Sequence, residues 1–214
     1  MKIHEDGPVL RFGAEPGDAQ IAMIMLHGRG ASAADIAGLA ELLPSRRCAF
    51  LAPQATGNAW YPESFLMPRS ANEPHLSSAL STVHQLVVEL EDAGIPAERI
   101  LLLGFSQGAC LSAEYAARRP RRYGGVLALA GGLIGERIDP AEFSGDLEGT
   151  PVFLGCSDQD PFIPRERVEV SSEAMQRLGG DVSMRLYPGL PHTVNDDEIE
   201  QVCAVMARAE QETR

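Results

Sequence analysis

Gly104-Phe105-Ser106-Gln107-Gly108 brings together the residue types that acyl transfer needs. It is a G-x-S-x-G segment. The apolar run Ile100–Leu103 precedes it, and 107–118 has helical periodicity. A serine on a tight strand-to-helix turn has its hydroxyl exposed at the carboxyl end of a sheet, with glycines relieving the crowding around it. The N-terminus of the following helix favours negative charge developing there. Ser106 is therefore the expected nucleophile toward a carbonyl carbon.

A serine hydroxyl needs a base, usually a histidine oriented by a carboxylate. Five histidines compete. His4 lies in a polar N-terminal stretch, His27 precedes a glycine turn, and His75 and His84 fall in a long helical segment. His192, in Gly189-Leu190-Pro191-His192-Thr193, sits between the last strand-like and last helical segments. That is a loop on the same edge as Ser106, and His192 is the expected base. The acid should follow the strand-like run Pro151–Cys156, where Asp158 and Asp160 compete. Pro161 and Pro164 build a rigid turn after Asp160, which favours it. Asp158 is then expected to satisfy local backbone donors of the turn. The chain order Ser, Asp, His is that of α/β hydrolases.

A tetrahedral intermediate also needs donors for its oxyanion. One is expected from the backbone N–H of Gln107, the other from Arg29 in the loop Leu26-His27-Gly28-Arg29-Gly30. The same loop reads as G-x-G-x-x-A through Ala33, a dinucleotide fingerprint. The acidic residue such a site needs is missing where the next strand-like run ends at Pro53. Nor does the loop carry a P-loop lysine. Cys110, one helical turn beyond Ser106, is expected to be buried rather than nucleophilic.

These residues must be held by elements, and the apolar pattern supplies them. Runs at 21–26, 47–52, 100–103, 125–130 and 151–156 read as strands buried on both faces. The more alternating run 182–187 suits a sheet edge. Between them, 32–43, 76–93, 107–118, 164–178 and 196–210 carry helical periodicity. Such alternation predicts a mostly parallel sheet with helices on both faces. The whole chain, 1–214, is expected to form a single α/β-hydrolase domain. Residues 54–74 fit neither period. Their Trp60, Tyr61, Phe65 and Leu66 either line the substrate site or tuck beneath the loop as a small core.

Composition narrows the function classes. Thirty acidic residues against 18 Lys and Arg give a formal charge of -12, which argues against nucleic-acid binding by a basic face. The cluster Arg118, Arg119, Arg121 and Arg122 reads as cations at a helix C-terminus. No apolar stretch is long enough to span a bilayer and none follows the N-terminus as a signal peptide would. The expectation is a cytoplasmic protein without stable membrane insertion. Four scattered cysteines form no C-x-x-C pair, so neither a metal site nor a disulfide framework is expected.

With these residues in place, the chain resembles the phospholipase/carboxylesterase family, which includes the acyl-protein thioesterases. The resemblance rests on Leu26–Gly30, Pro53-Gln54 with Trp60-Tyr61, Gly104–Gly108, Asp160-Pro161-Phe162-Ile163-Pro164 and Pro191-His192. It implies an α/β-hydrolase fold with no separate cap domain and a cofactor-free, metal-independent esterase acting on a small ester or acyl substrate. It also supports Asp160 as the acid. The Trp60-to-Met67 stretch is closer to small bacterial carboxylesterases. Arg29 stands where many members have leucine, which points to an acidic or polar substrate. The rival readings are a lysophospholipase or acyl-protein thioesterase acting on long acyl chains, acyl transfer to an alcohol or amine, and a non-catalytic binding protein on the same fold. An apolar rim around the site would also suit a homodimer face.

Overall fold

The computed structural model describes residues 2–43 and 46–211. Seven strands make one sheet: β1 (Val9–Gly13), β2 (Ile21–Leu26), β3 (Cys48–Pro53), β4 (Ile100–Phe105), β5 (Gly125–Leu129), β6 (Pro151–Ser157) and β7 (Asp181–Tyr187). Their spatial order is β1-β3-β2-β4-β5-β6-β7. All neighbours pair in parallel except β1 with β3. The inner strands are apolar on both faces because helices cover both. Among the described residues five helices do so: α1 (Ala33–Ala37), α2 (His75–Asp92), α3 (Gln107–Arg118), α4 (Arg165–Arg177) and α5 (Asp196–Gln211).

Successive strand residues point to opposite sides, and the core divides accordingly. Ile24 and Leu102 pack with Leu76 and Val83 of α2, Leu111 of α3 and Val168 of α4. Met23, Leu101 and Leu103 pack with Ile36 of α1 and Val202 and Met206 of α5. The fold class read from the sequence is thus the observed one, and β7 is the edge its alternation suggested.

Two elements differ from expectation. The helix expected over 32–43 is only five residues long. Ser32 and Asp35 close a reciprocal capping box at its start, but the chain tightens into a 3₁₀ turn over Gly38–Leu42. Glycine favours helix interiors poorly, which lets the tighter turn win. The second difference is β1, an additional antiparallel edge strand. Phe12 stacks on Phe50 with centroids 4.9 Å apart, and Arg11 pairs with Glu89 on α2 at 2.9 Å. The arginine cluster does close α3, with Arg118 bound to Glu114 and Arg121 to Glu91.

The sheet order reverses between β2 and β4, since β3 lies beyond β2 and β5 beyond β4. The loops leaving these adjacent strands diverge there and open a crevice, where α/β folds place ligands. The loop after β2 carries Arg29, and the turn after β4 carries Ser106. The loops after β6 and β7 carry Asp160 and His192 to the same edge.

Candidate active site

Ser106 has φ 54° and ψ -116°, a conformation that L side chains rarely adopt. Its neighbours hold it there. The Ser106 amide donates to Leu129 O of β5 at 2.9 Å, and the Cys110 amide donates to Ser106 O at 3.0 Å. A Cβ on Gly104 would stand 2.1 Å from Gly108 O, and one on Gly108 would stand 2.0 Å from Leu26 O. Both glycines of the motif are therefore required by backbone contact across β2, β4 and α3.

Ser106 Oγ lies 2.9 Å from His192 Nε2, and His192 Nδ1 lies 2.7 Å from Asp160 Oδ2. The carboxylate can only accept, so it fixes the proton on Nδ1 and leaves Nε2 to accept from the serine hydroxyl. The second Asp160 oxygen accepts from the amides of Phe162 and Ile163 at 2.8 and 3.0 Å. Its side chain is 1% exposed and that of His192 15%. Phe105 and Phe162 flank the imidazole, with ring centroids 5.0 and 4.9 Å away. Asp158 does not reach His192. Its Oδ1 accepts from the Gly189 amide at 2.8 Å, a donor in the histidine loop rather than in its own turn.

The loop after β2 lies against the serine, since a Cβ on Gly28 would be 3.5 Å from Ser106 Cβ. His27 locks this loop from inside the protein. Its Nε2 accepts the Ala55 amide at 3.1 Å, so Nδ1 carries the proton and donates to Gly28 O at 2.8 Å. Burial lowers the His27 pKa, favouring this neutral ring. Trp60 Nε1 donates to His27 O at 2.9 Å. His4 is buried as well, donating to Trp60 O and accepting from the Thr56 amide. Neither the Arg29 nor the Gln107 amide donates to a protein acceptor among the described residues.

A cavity of about 520 Å³ opens over Ser106, a size typical of small-molecule sites. Of the four loop residues expected at the substrate, Tyr61 and Phe65 line it. Trp60 and Leu66 do not. Trp60 is fully buried behind the loop, where its indole N–H has a backbone partner. Leu66 instead faces a separate groove beside Ile138 and Pro164. Adjacent loop residues diverge in direction, and residue type alone does not say which faces inward. The cavity also takes Phe105, Phe162, Ile163 and Cys110, which the sequence did not single out for substrate contact. The first three sit inside the motifs already quoted, so adjacency to Ser106 and Asp160 was the available signal. Cys110 is 1% exposed, and burial pushes its thiol up to about 11.

Comparisons with known proteins bear on the family and the fold. A profile described as Phospholipase/Carboxylesterase matches residues 13–208. A crystal structure of a phospholipase/carboxylesterase from Dyadobacter fermentans superposes with a TM-score of 0.92 at 44% identity, covering 97% of this chain and 99% of that one. An acyl-protein thioesterase 1 from Eremothecium gossypii is 30% identical over 213 residues, 91% of this chain and 90% of that protein. An acyl-protein thioesterase 1 from Gibberella zeae is 32% identical over 130 residues, 58% of this chain and 54% of that protein's length.

Proposed function

This chain belongs to the phospholipase/carboxylesterase family, and from that premise we propose that it is a serine hydrolase of carboxylic esters or thioesters. The observation that carries this reading is the relay from Ser106 Oγ to His192 Nε2 at 2.9 Å and from His192 Nδ1 to Asp160 at 2.7 Å, at the floor of the cavity.

In this reading Ser106 Oγ attacks the acyl carbon as its proton passes to His192 Nε2. Asp160 holds the imidazole in the productive tautomer and stabilises the imidazolium. The Arg29 and Gln107 amides receive the oxyanion, each donor contributing about 3 kcal/mol of transition-state stabilisation. The intermediate collapses, the alkoxide or thiolate leaves with the proton from His192, and an acyl-Ser106 ester remains. Water, deprotonated by His192, then attacks this ester and releases the acid. Tyr61, Phe65 and Ile163 form the apolar wall for the acyl group.

Hydrolysis of p-nitrophenyl esters from acetyl to palmitoyl tests this, with Ser106→Ala beside the wild type. The expected loss in kcat is about 10⁶-fold. A mutant that hydrolyses nearly as well as the parent would sink the assignment of Ser106. Absence of hydrolysis by the wild type, together with no fluorophosphonate labelling, would favour a binding protein on this fold.

A further inference from the structure

The backbone of Trp60–Glu63 is held by the side chains of Arg29 and Gln107, the two residues whose amides the proposed mechanism assigns to the oxyanion. Gln107 Oε1 accepts the Trp60 amide, and its Nε2 donates to Tyr61 O, both at 2.9 Å. Arg29 Nη1 donates to Pro62 O at 2.7 Å and Nη2 to Glu63 O at 2.6 Å. Asn72 adds a third tie, accepting the Glu63 amide and donating to Ser64 O. The Gln107 ties are buried and those of the buried Asn72 partly so. That of Arg29 is at the exposed rim, where its guanidinium also lies 5.8 Å from the Tyr61 ring centre.

We propose that Arg29 is a positioning residue that sets which acyl groups the cavity accepts, by clamping its Pro62–Glu63 wall against the oxyanion loop. This rests on the ester-hydrolase reading above. It gives the Arg29 side chain a role apart from any contact with an acidic substrate, since two of its five N–H donors go to backbone carbonyls. Two parallel N–H···O bonds from a rigid planar group fix both spacing and orientation. The carbonyls they hold are exposed and can be taken over by water, so losing the clamp releases the wall without stranding a buried polar group. The wall then yields outward between Tyr61 and Phe65, and longer acyl chains gain room.

The experiment compares kcat and KM for butyryl and decanoyl p-nitrophenyl esters in the wild type, Arg29→Leu and Arg29→Lys. Arg29→Leu is expected to raise the decanoyl-to-butyryl ratio of kcat/KM about tenfold, the size of a change of one or two methylenes in pocket fit. The change should fall mainly in KM for the longer ester. A lysine keeps a charged donor but loses the planar fork that fixes spacing and orientation, so its ratio should rise about threefold. A ratio within twofold of wild type in Arg29→Leu overturns the proposal. Should that variant not fold, an unchanged ratio in Arg29→Lys overturns it instead. A wild type without Ser106-dependent hydrolysis refutes the underlying reading rather than the clamp.

Discussion

Oδ1 of Asp158 accepts the amide of Gly189 at 2.8 Å, joining the loop after β6 to the loop after β7. Two residues on, Asp160 holds the imidazole of His192 itself. The two aspartates thus divide the labour between aligning a loop and fixing a tautomer. Asp160→Asn presents an amide that can donate to the ring and stabilise the wrong tautomer. Its kcat should fall about 10⁴-fold. Asp158→Asn keeps an acceptor for Gly189, and its kcat should stay within about tenfold of wild type. Steady-state kinetics on one short ester decides, and the opposite ranking would make Asp158 the acid.

The nucleophile turn predicts a stability defect. A Cβ on Gly108 meets Leu26 O and Leu26 C at 2.0 and 2.4 Å, all backbone that no rotamer change can relieve. Separating α3 from β2 to admit a methyl should cost about 3 kcal/mol or more. For a chain of this length that corresponds to a fall of roughly 10 °C in Tm, read by thermal unfolding of Gly108→Ala. By contrast, Gly30 has φ +78° but open space around it, so Gly30→Ala should show a smaller loss, from backbone strain alone. Equal effects at the two positions would contradict the contact argument.

The features most legible in the sequence were those fixed by chain geometry. Ser106 stands after the apolar run that became β4 and His192 after the alternating run that became β7, and a parallel sheet brings all such loops to one edge. Other features depend on partners that leave no trace in sequence. No strand was expected at Val9–Gly13, because Arg11 breaks a run of only five residues, as an antiparallel edge strand permits. The Arg29 clamp ends on main-chain carbonyls, which every residue possesses. Trp60 and Tyr61 are adjacent and equally apolar, yet only Tyr61 reaches the cavity.

Cys110 lines the cavity yet should be chemically silent. Its thiol is 1% exposed, with its pKa near 11 from burial, so almost none is thiolate at neutral pH. Iodoacetamide at pH 7.5 is expected to leave ester hydrolysis intact, even though the partly exposed Cys203 offers a site for labelling. Inactivation that parallels modification of Cys110, identified by peptide mapping, would show a mobile and reactive thiol at the site.

Glu198 links the fold to pH. It is fully buried at the start of α5, where Oε2 accepts the Asn195 amide at 2.9 Å while Oε1 has no hydrogen-bond partner. Oε1 is packed against Gly155 of β6, and Asp197 adds like charge beside it. Burial pushes its pKa from 4.5 to about 7. The folded protein therefore holds this proton more tightly than the unfolded chain does. The stability that goes with the proton is fully present below pH 4.5 and is lost as pH rises through about 7. Glu198→Gln removes the charge while keeping an acceptor for Asn195. Above pH 7 it should be more stable than wild type by about 2 kcal/mol, or roughly 5 °C in Tm. At pH 4.5 the two proteins should melt within a degree or so of each other. Melting curves at pH 4.5 and 8 decide, and the same difference at both would mean that shape, not charge, governs this position.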